Sequence, residues 1–534
     1  LVAPTILSSV KASGSSPDAD TLSFCSFAPR MINVLEYLES TCHRCPDRLA
    51  VTDRDGALTF CDLRTQARLL AAQIAALTGA RNQPIGVYLP KSRHCVTSFA
   101  AILYSGNCYA PLDMKSPQPR MAKLLEKLGP ALVITIRKYA AELEGAGLPA
   151  DRILCLDEDA VPAAQLAWDV PESIDTDPVY IIHTSGSTGV PKGVVISHRG
   201  VIDYIEWARA CYSVTEADTI GSQAPFHFDN STLDLYLCFS AGATLVLIPE
   251  DLFLFPIKLI EYMAQQQVRL IFWVPSAMAA VANTDVLSKT ALPPLTKILF
   301  AGEVMQNRHL NYWRRHFPNA VFSNLYGPTE ITVDCTYYIV DREFADDEPL
   351  PIGIPCRNSD VLILNTENRP AAVGERGELC VRGSSLAHGY WNDPEKTAAA
   401  FVQNPLNPHY PERIYRTGDQ VWRDAKGEIY FAGRNDYQIK HMGYRIELGE
   451  IETAALSVPD VRNACVLYDQ AKSQIVLFYE AACEIPVAVL RKTLLEKLSK
   501  YMVPSVFAYL PELPLNANGK IDRPVLATRI PQAS

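Results

Sequence analysis

The chain has 534 residues, of which 48% are apolar and 20% charged, with a formal net charge of −10. That length calls for about two to four lobes at roughly 150 residues each, and the acidic balance provides no electrostatic footprint for a nucleic acid or an anionic membrane. No apolar run reaches the roughly 18 residues of a membrane span, and the 14 cysteines, scattered without a C-x-x-C, suit the reduced thiols of a cytoplasmic protein rather than a disulfide framework or a structural zinc site.

Residues 1–30 are rich in Ser, Ala and Pro, lack the basic and apolar regions of a signal peptide, and read as a disordered arm or appended remnant. Thr59, with Asp62 three residues on, opens a helix whose apolar positions Leu63, Ala67, Leu70, Ile74 and Leu77 recur at helical spacing. Strand-like PIGVYLP, a helix over Ser92 to Tyr104, apolar CYAPLD, a helix over Met121 to Leu128 and the strand ALVITI follow. The same alternation resumes after residue 250 with LFLFPIKLIEYMAQQQ, RLIFWVPS, LTKILFAG and AVFSNLYG, which predicts layered α/β subdomains around largely parallel sheets.

Near Pro351 the pattern turns to short strands between turn signals, as in DVLILNTENRPAAVGERGELCVRG, and predicts a β-rich lobe over about 350–435. From Gly449 onward a helix, two strands, a helix and a last strand-like segment predict a small α+β domain. The expected organisation is a large N-terminal core over 31–435 and a mobile C-terminal domain over 436–534, joined by a short hinge at Asp436.

Chemistry concentrates first in VYIIHTSGSTGVPKG, Val179 to Gly193. A β-branched and aromatic strand gives way to Thr184, Ser185, Gly186, Ser187, Thr188 and Gly189, whose hydroxyls and closely spaced N–H groups suit an anion, and Lys192 adds a point charge. Val190 and Pro191 separate that lysine from the glycine, so this is not a Walker loop, and no three-glycine dinucleotide fingerprint is present. Other stretches are modest singly. NLYGPTE, Asn324 to Glu330, reads as a strand ending in a turn that delivers Thr329 and Glu330 to a sheet edge; YRTGD ends in Asp419 after a tight turn. GRNDYQIKHMGYRIELGEIE carries Arg434, Asp436, Lys440 and Arg445 at a density typical of a solvated face, and Lys520 follows an Asn-Gly turn.

Together and in this order, these stretches resemble the adenylate-forming enzymes, specifically the amino-acid-activating adenylation domains of nonribosomal peptide synthetases and their free-standing relatives. LTFCDL, CYAPLD, the phosphate loop, FHFDNS, NLYGPTE, GELCVRGSSLAHGYW, YRTGD, GRNDYQIK and NGKIDR carry the resemblance from about Ile32 to Pro524. It implies two steps: an amino-acid carboxylate attacks the α-phosphorus of ATP and magnesium pyrophosphate leaves, then the phosphopantetheine thiol of a carrier protein takes the aminoacyl group. The resemblance puts Lys520 on the α-phosphate and the substrate carboxylate, Thr184 to Gly189 with Lys192 on the departing phosphates, and Glu330 on Mg2+. Asp419 would hold the ribose hydroxyls with Arg434 close by, Tyr326 would stack on adenine, and Asn324, Gly327 and Thr329 would complete the nucleotide site. About Asp436 the small domain would rotate, exchanging Lys520 for the loop around Gly443. The implied protein is a monomer that loads a carrier in trans or is a piece of a larger synthetase.

The resemblance also aligns an acceptor pocket of Asp229, Asn230, Leu233, Phe272, Leu299, Ala301, Leu325, Val333 and Asp334, closed by Lys520. A carboxylate at Asp229 in the aromatic setting HFDNS calls for a cation, such as a substrate ammonium; the alternative is an Asp capping a helix that begins at Ser231. The small apolar walls look like those of free-standing prolyl ligases, so L-proline is expected. Asn230 and Asp334 are more polar than a bare pyrrolidine requires, which leaves serine or a substituted proline as alternatives unless Asp334 is protonated or bonded to the protein. An acyl-CoA ligase is disfavoured by Asp229, and a noncatalytic nucleotide-binding module by Lys192, Glu330 and Lys520.

Overall fold

The computed structural model describes residues 31–157, 172–186, 191–434, 437–470, 472–516 and 521–530. The expected arm at 1–30, and Ser187, Thr188, Gly189, Asp436 and Lys520, lie outside the described residues.

Two twisted sheets form the large N-terminal domain. The first has nine strands, with a parallel interior running from Val321–Tyr326 through Lys297–Phe300, Leu270–Trp273, Thr219–Ser222 and Thr244–Leu247 to Leu49–Asp53, and antiparallel strands at both edges. The second has seven; Pro178–Thr184, Cys108–Pro111, Pro84–Val87, Leu132–Thr135 and Ile153–Cys155 run parallel, and Lys192–Ser197 pairs antiparallel with Pro178–Thr184. Helices cover these sheets, so strands such as Leu270–Trp273 and Pro84–Val87 are buried at every position and their sequences are continuously apolar.

Local signals explain several elements. Thr59 and Asp62 form a reciprocal capping box at the start of helix Phe60–Thr78. Leu77, expected on its buried face, lies in the last turn of this helix and is 58% exposed. A five-stranded sheet of Ser359–Leu364, Gly377–Gly383, Arg413–Arg423, Phe401–Gln403 and Ile429–Arg434 makes the β-rich lobe. Tyr415 to Asp419 lies inside the long strand Arg413–Arg423 rather than after a turn; Gly418, at φ +75°, accommodates a register shift there. Likewise NLYGPTE ends an interior strand, flanked on both sides, not a sheet edge.

The smaller C-terminal domain holds a hairpin, Gln438–His441 with Tyr444–Glu447, then helix Leu448–Ala455 and a sheet of Val461–Asp469, Gln474–Ala481 and Val506–Leu510. Its own core centres on Ile451, Val466, Leu477, Leu494 and Met502. Among the described residues no helix is long and apolar enough to cross a membrane.

Candidate active site

The ends of the phosphate loop are fixed by the antiparallel pairing that sets Thr184 opposite Lys192. The buried Thr184 hydroxyl has no hydrogen-bond partner among the described residues. Ser185 Oγ donates to the Arg445 carbonyl at 2.6 Å and accepts from the Glu447 N–H at 3.2 Å. Lys192 Nζ lies 3.4 Å from Glu447 and over the Tyr390 ring. Burial and the nearby Arg445 pull its ammonium below the ordinary lysine range, against the opposing pull of Glu330 and Glu447.

Glu330 is fully buried in the short 3-10 helix Thr329–Ile331. Its Oε2 takes the Arg445 guanidinium at 2.5 Å and its Oε1 accepts from the Tyr390 hydroxyl at 2.8 Å. Burial alone would raise this carboxyl, but Arg445 and Lys192 outweigh it and bring it down to about 2. Among the residues expected to hold the nucleotide, Asp419 receives the Tyr326 hydroxyl and the Arg434 guanidinium, the latter at 2.6 Å, and Arg434 also donates to the Thr417 carbonyl. Asn324 donates to the Pro351 carbonyl. Gly327 has no room for a side chain, since a Cβ there would lie 2.3 Å from the Val333 carbonyl oxygen.

The residues expected to line the acceptor pocket lie on one helix, at or just beyond the C-terminal ends of neighbouring strands, and in the segment after Ile331. Leu233, Phe272, Leu299, Ala301, Leu325 and Val333 are each at most 2% exposed, and Phe272 pairs with Leu299 across adjacent strands, so they share a face. Asn230 opens the helix Asn230–Ala241. Asp229 precedes it with helical dihedrals and no side-chain capping bond, so the capping role does not account for its carboxylate. Burial pushes that carboxyl up, while the Thr329 hydroxyl and the Lys440 ammonium oppose the rise. Asp334 accepts the Tyr204 hydroxyl at 2.6 Å, and burial raises it to about 7. The preceding Thr332 and Val333 have φ of +60° and +72°, left-handed values that cost strain in β-branched residues.

The C-terminal hairpin enters this site. Gly443 N–H donates to Glu303 at 2.8 Å, and the other Glu303 oxygen accepts from Ser276 N–H. Tyr444 packs edge-on against Phe228 and stacks on Tyr501. Lys440 lies 5.7 Å from the Tyr326 ring centroid, near Asp419 and Asp229. The charge density expected to make a solvated face is therefore spent on the site. Sequence reasoning gave no role to Glu303, Glu447, Tyr204 or Tyr390; charge density pointed toward Glu447 and the GYW turn toward Tyr390, whereas nothing local marks Glu303 or Tyr204.

The family model described as AMP-binding enzyme matches residues 38–391, and the AMP-binding enzyme C-terminal domain matches residues 450–520. The chain belongs to the AMP-binding enzymes. This AMP-binding enzyme is 34% identical to zwittermicin A synthase ZmaJ of Bacillus cereus over 494 residues, covering 91% of this chain and 92% of that protein. It is also 34% identical to tyrocidine synthase 3 of Brevibacillus parabrevis over 92% of this chain, but spans only 8% of that synthase. Among solved structures it resembles holo-PA1221, an NRPS protein containing adenylation and PCP domains bound to a vinylsulfonamide inhibitor, with a TM-score of 0.80 and 26% identity over 93% of this chain and 84% of that one. The o-succinylbenzoate CoA synthetase of Bacillus subtilis, at 22% identity and a TM-score of 0.80 over 93% of this chain and 99% of that one, shares the fold. The chain is an adenylate-forming ligase of the nonribosomal peptide synthetase type, in a family that uses ATP.

Proposed function

We propose that the chain activates a small amino or imino acid, L-proline first, as the aminoacyl adenylate with release of pyrophosphate, and then transfers it to the phosphopantetheine thiol of a carrier protein. The observation that supports the amino-acid reading is Asp229: a half-buried carboxylate next to apolar side chains, free of any capping duty, with Lys440 nearby only while the C-terminal hairpin is docked, would take a substrate ammonium. Lys520 and Lys192 with Thr184 and Ser185 neutralise charge on the phosphates in the first transition state. Asp419, Arg434, Tyr326, Asn324, Gly327 and Thr329 hold the nucleoside.

Glu330, a single buried carboxylate beside Lys192, would fit Mg2+ as a ligand shared with substrate phosphates. When bound, the ion would draw charge off the phosphate oxygens. With the hairpin docked both Glu330 oxygens are taken by Arg445 and Tyr390, so Glu330 would be open to the ion only with Arg445 withdrawn. For the second step, rotation about Asp436 would exchange Lys520 for the hairpin around Gly443, which then faces the site. The protein acts as a monomer toward its carrier.

Asp334 favours one second reading, serine or a substituted proline whose polar group meets that carboxyl. Pyrophosphate exchange over the proteinogenic amino acids and the hydroxyprolines tests both. Proline is expected to rank first, and proline well below serine overturns that choice. Absence of exchange with every acid overturns the enzymatic reading.

A further inference from the structure

Three contacts that dock the C-terminal domain use side chains the chemistry also needs, Glu330, Lys192 and Ser185. Others do not: Gly443 on Glu303, Tyr444 on Phe228, and one buried ion pair. Arg120 Nη1 meets Glu450 Oε1, with side chains only 8% and 2% exposed, and neither Glu450 oxygen has a hydrogen-bond partner of ordinary geometry among the described residues. Arg120 belongs to helix Gln118–Leu128 of the N-terminal domain, and Glu450 to helix Leu448–Ala455, directly behind the hairpin. Neither is among the residues assigned to the nucleotide, the acceptor or the metal.

The physical consequence is selection of one domain orientation. A buried ion pair adds little net stability, because desolvation offsets the attraction, but a buried charge that loses its partner is costly. An arrangement that buries Arg120 without Glu450, or places Glu450 a few ångströms away, is therefore penalised, whereas full separation rehydrates both groups. Along one continuous segment Arg445 addresses Glu330, Glu447 addresses Lys192 and Glu450 addresses Arg120. Separated contacts of this kind fix a rigid body in rotation as well as position. Arg120 and Glu450 supply a contact between full charges that stays available whatever occupies the phosphate site.

We infer that Arg120 and Glu450 are positioning residues for the thiol step, an interdomain ion pair that selects the orientation in which the Gly443 hairpin faces the site. The inference rests on the two-step reading above. Arg120→Met, Glu450→Gln and the swapped double variant Arg120→Glu with Glu450→Arg separate the possibilities. The assays are ATP–pyrophosphate exchange with the amino acid that ranks first for the wild type, and single-turnover acylation of pantetheine from the preformed adenylate. Each single variant should keep exchange within about twofold, which also reports correct folding, while acylation slows about tenfold or more with unchanged KM for pantetheine. The swap should recover most of that rate. Equal losses in both assays, or a swap that acylates no faster than the singles, overturns the inference. A wild type that exchanges pyrophosphate yet never acylates pantetheine removes the two-step reading, and this inference with it.

Discussion

Arg445 of the C-terminal domain lies 2.5 Å from Glu330 of the N-terminal domain, and the pair is almost wholly buried. Protein cation and protein carboxylate thus neutralise each other where a metal ion and phosphates would otherwise do so, and Glu447 occupies Lys192 in the same way. Arg445→Met should therefore slow acyl transfer from a preformed adenylate about tenfold or more while leaving pyrophosphate exchange within about threefold. Equal loss in both half-reactions would show that Arg445 serves the first step. Glu330 is held at about 2, so its share of the docking energy is fully present above the ordinary carboxyl value and lost only as pH falls through about 2. Acyl transfer should show no inflection from this group near neutrality.

Gly443 provides a steric test. Its φ is +81°, and a Cβ would lie 2.8 Å from Val274 Cγ1, so Gly443→Ala meets both backbone strain and a collision when the hairpin is docked. The collision vanishes when the hairpin withdraws. Single-turnover assays should show acyl transfer reduced about tenfold or more with adenylate formation little changed. Glu303→Gln weakens the acceptor of the Gly443 N–H and should give a smaller loss of the same kind. Loss of adenylation in either variant would contradict the assignment.

Much of this architecture is legible in the sequence because its signals are local. The capping box at Thr59, the continuously apolar parallel strands and the small residues of the phosphate loop each state their structure within a few positions. The site is less legible where it depends on distant partners. Asp334 looks like an unsatisfied acid until Tyr204, 130 residues away, donates to it. Glu303 looks like a loop carboxylate until Gly443 arrives from the other domain, 140 residues on. Asp419 reads as the end of a turn because a glycine precedes it, yet that glycine relieves a shift inside a strand.

Lys520 and Asp436 lie outside the described residues, and their assignments follow from their place in NGKIDR and GRNDYQIK. Lys520→Ala should lower adenylate formation by about two orders of magnitude or more while a preformed adenylate is still transferred. Asp436→Pro fixes φ at the hinge and should abolish the thiol step alone. Unimpaired carrier loading by Asp436→Pro would reject a hinge there, and equal loss in both half-reactions by Lys520→Ala would reject its role.

The carboxyl of Asp334 offers a pH test of the substrate. Burial raises it to about 7, the neighbouring Asp229 adds to the rise, and the Tyr204 hydrogen bond opposes both. Below that value it faces the pocket as a neutral acid, which bare ring methylenes tolerate; above it, a second negative charge joins Asp229. For proline, KM in pyrophosphate exchange should therefore rise several-fold, about threefold to tenfold, between about pH 6 and pH 8. Asp334→Asn should flatten that dependence, and Tyr204→Phe, by removing the bond that holds the carboxyl down, should move the inflection to higher pH. For a substrate that donates a hydrogen bond to Asp334 the sign reverses, and KM should fall as the carboxylate forms. Folding stability carries the same linkage: a raised carboxyl stabilises the fold most below its ordinary value of 3.8, and that contribution is lost as pH rises through about 7. A wild-type KM for proline that stays level over this range, matching Asp334→Asn, would show that the carboxyl does not face the substrate.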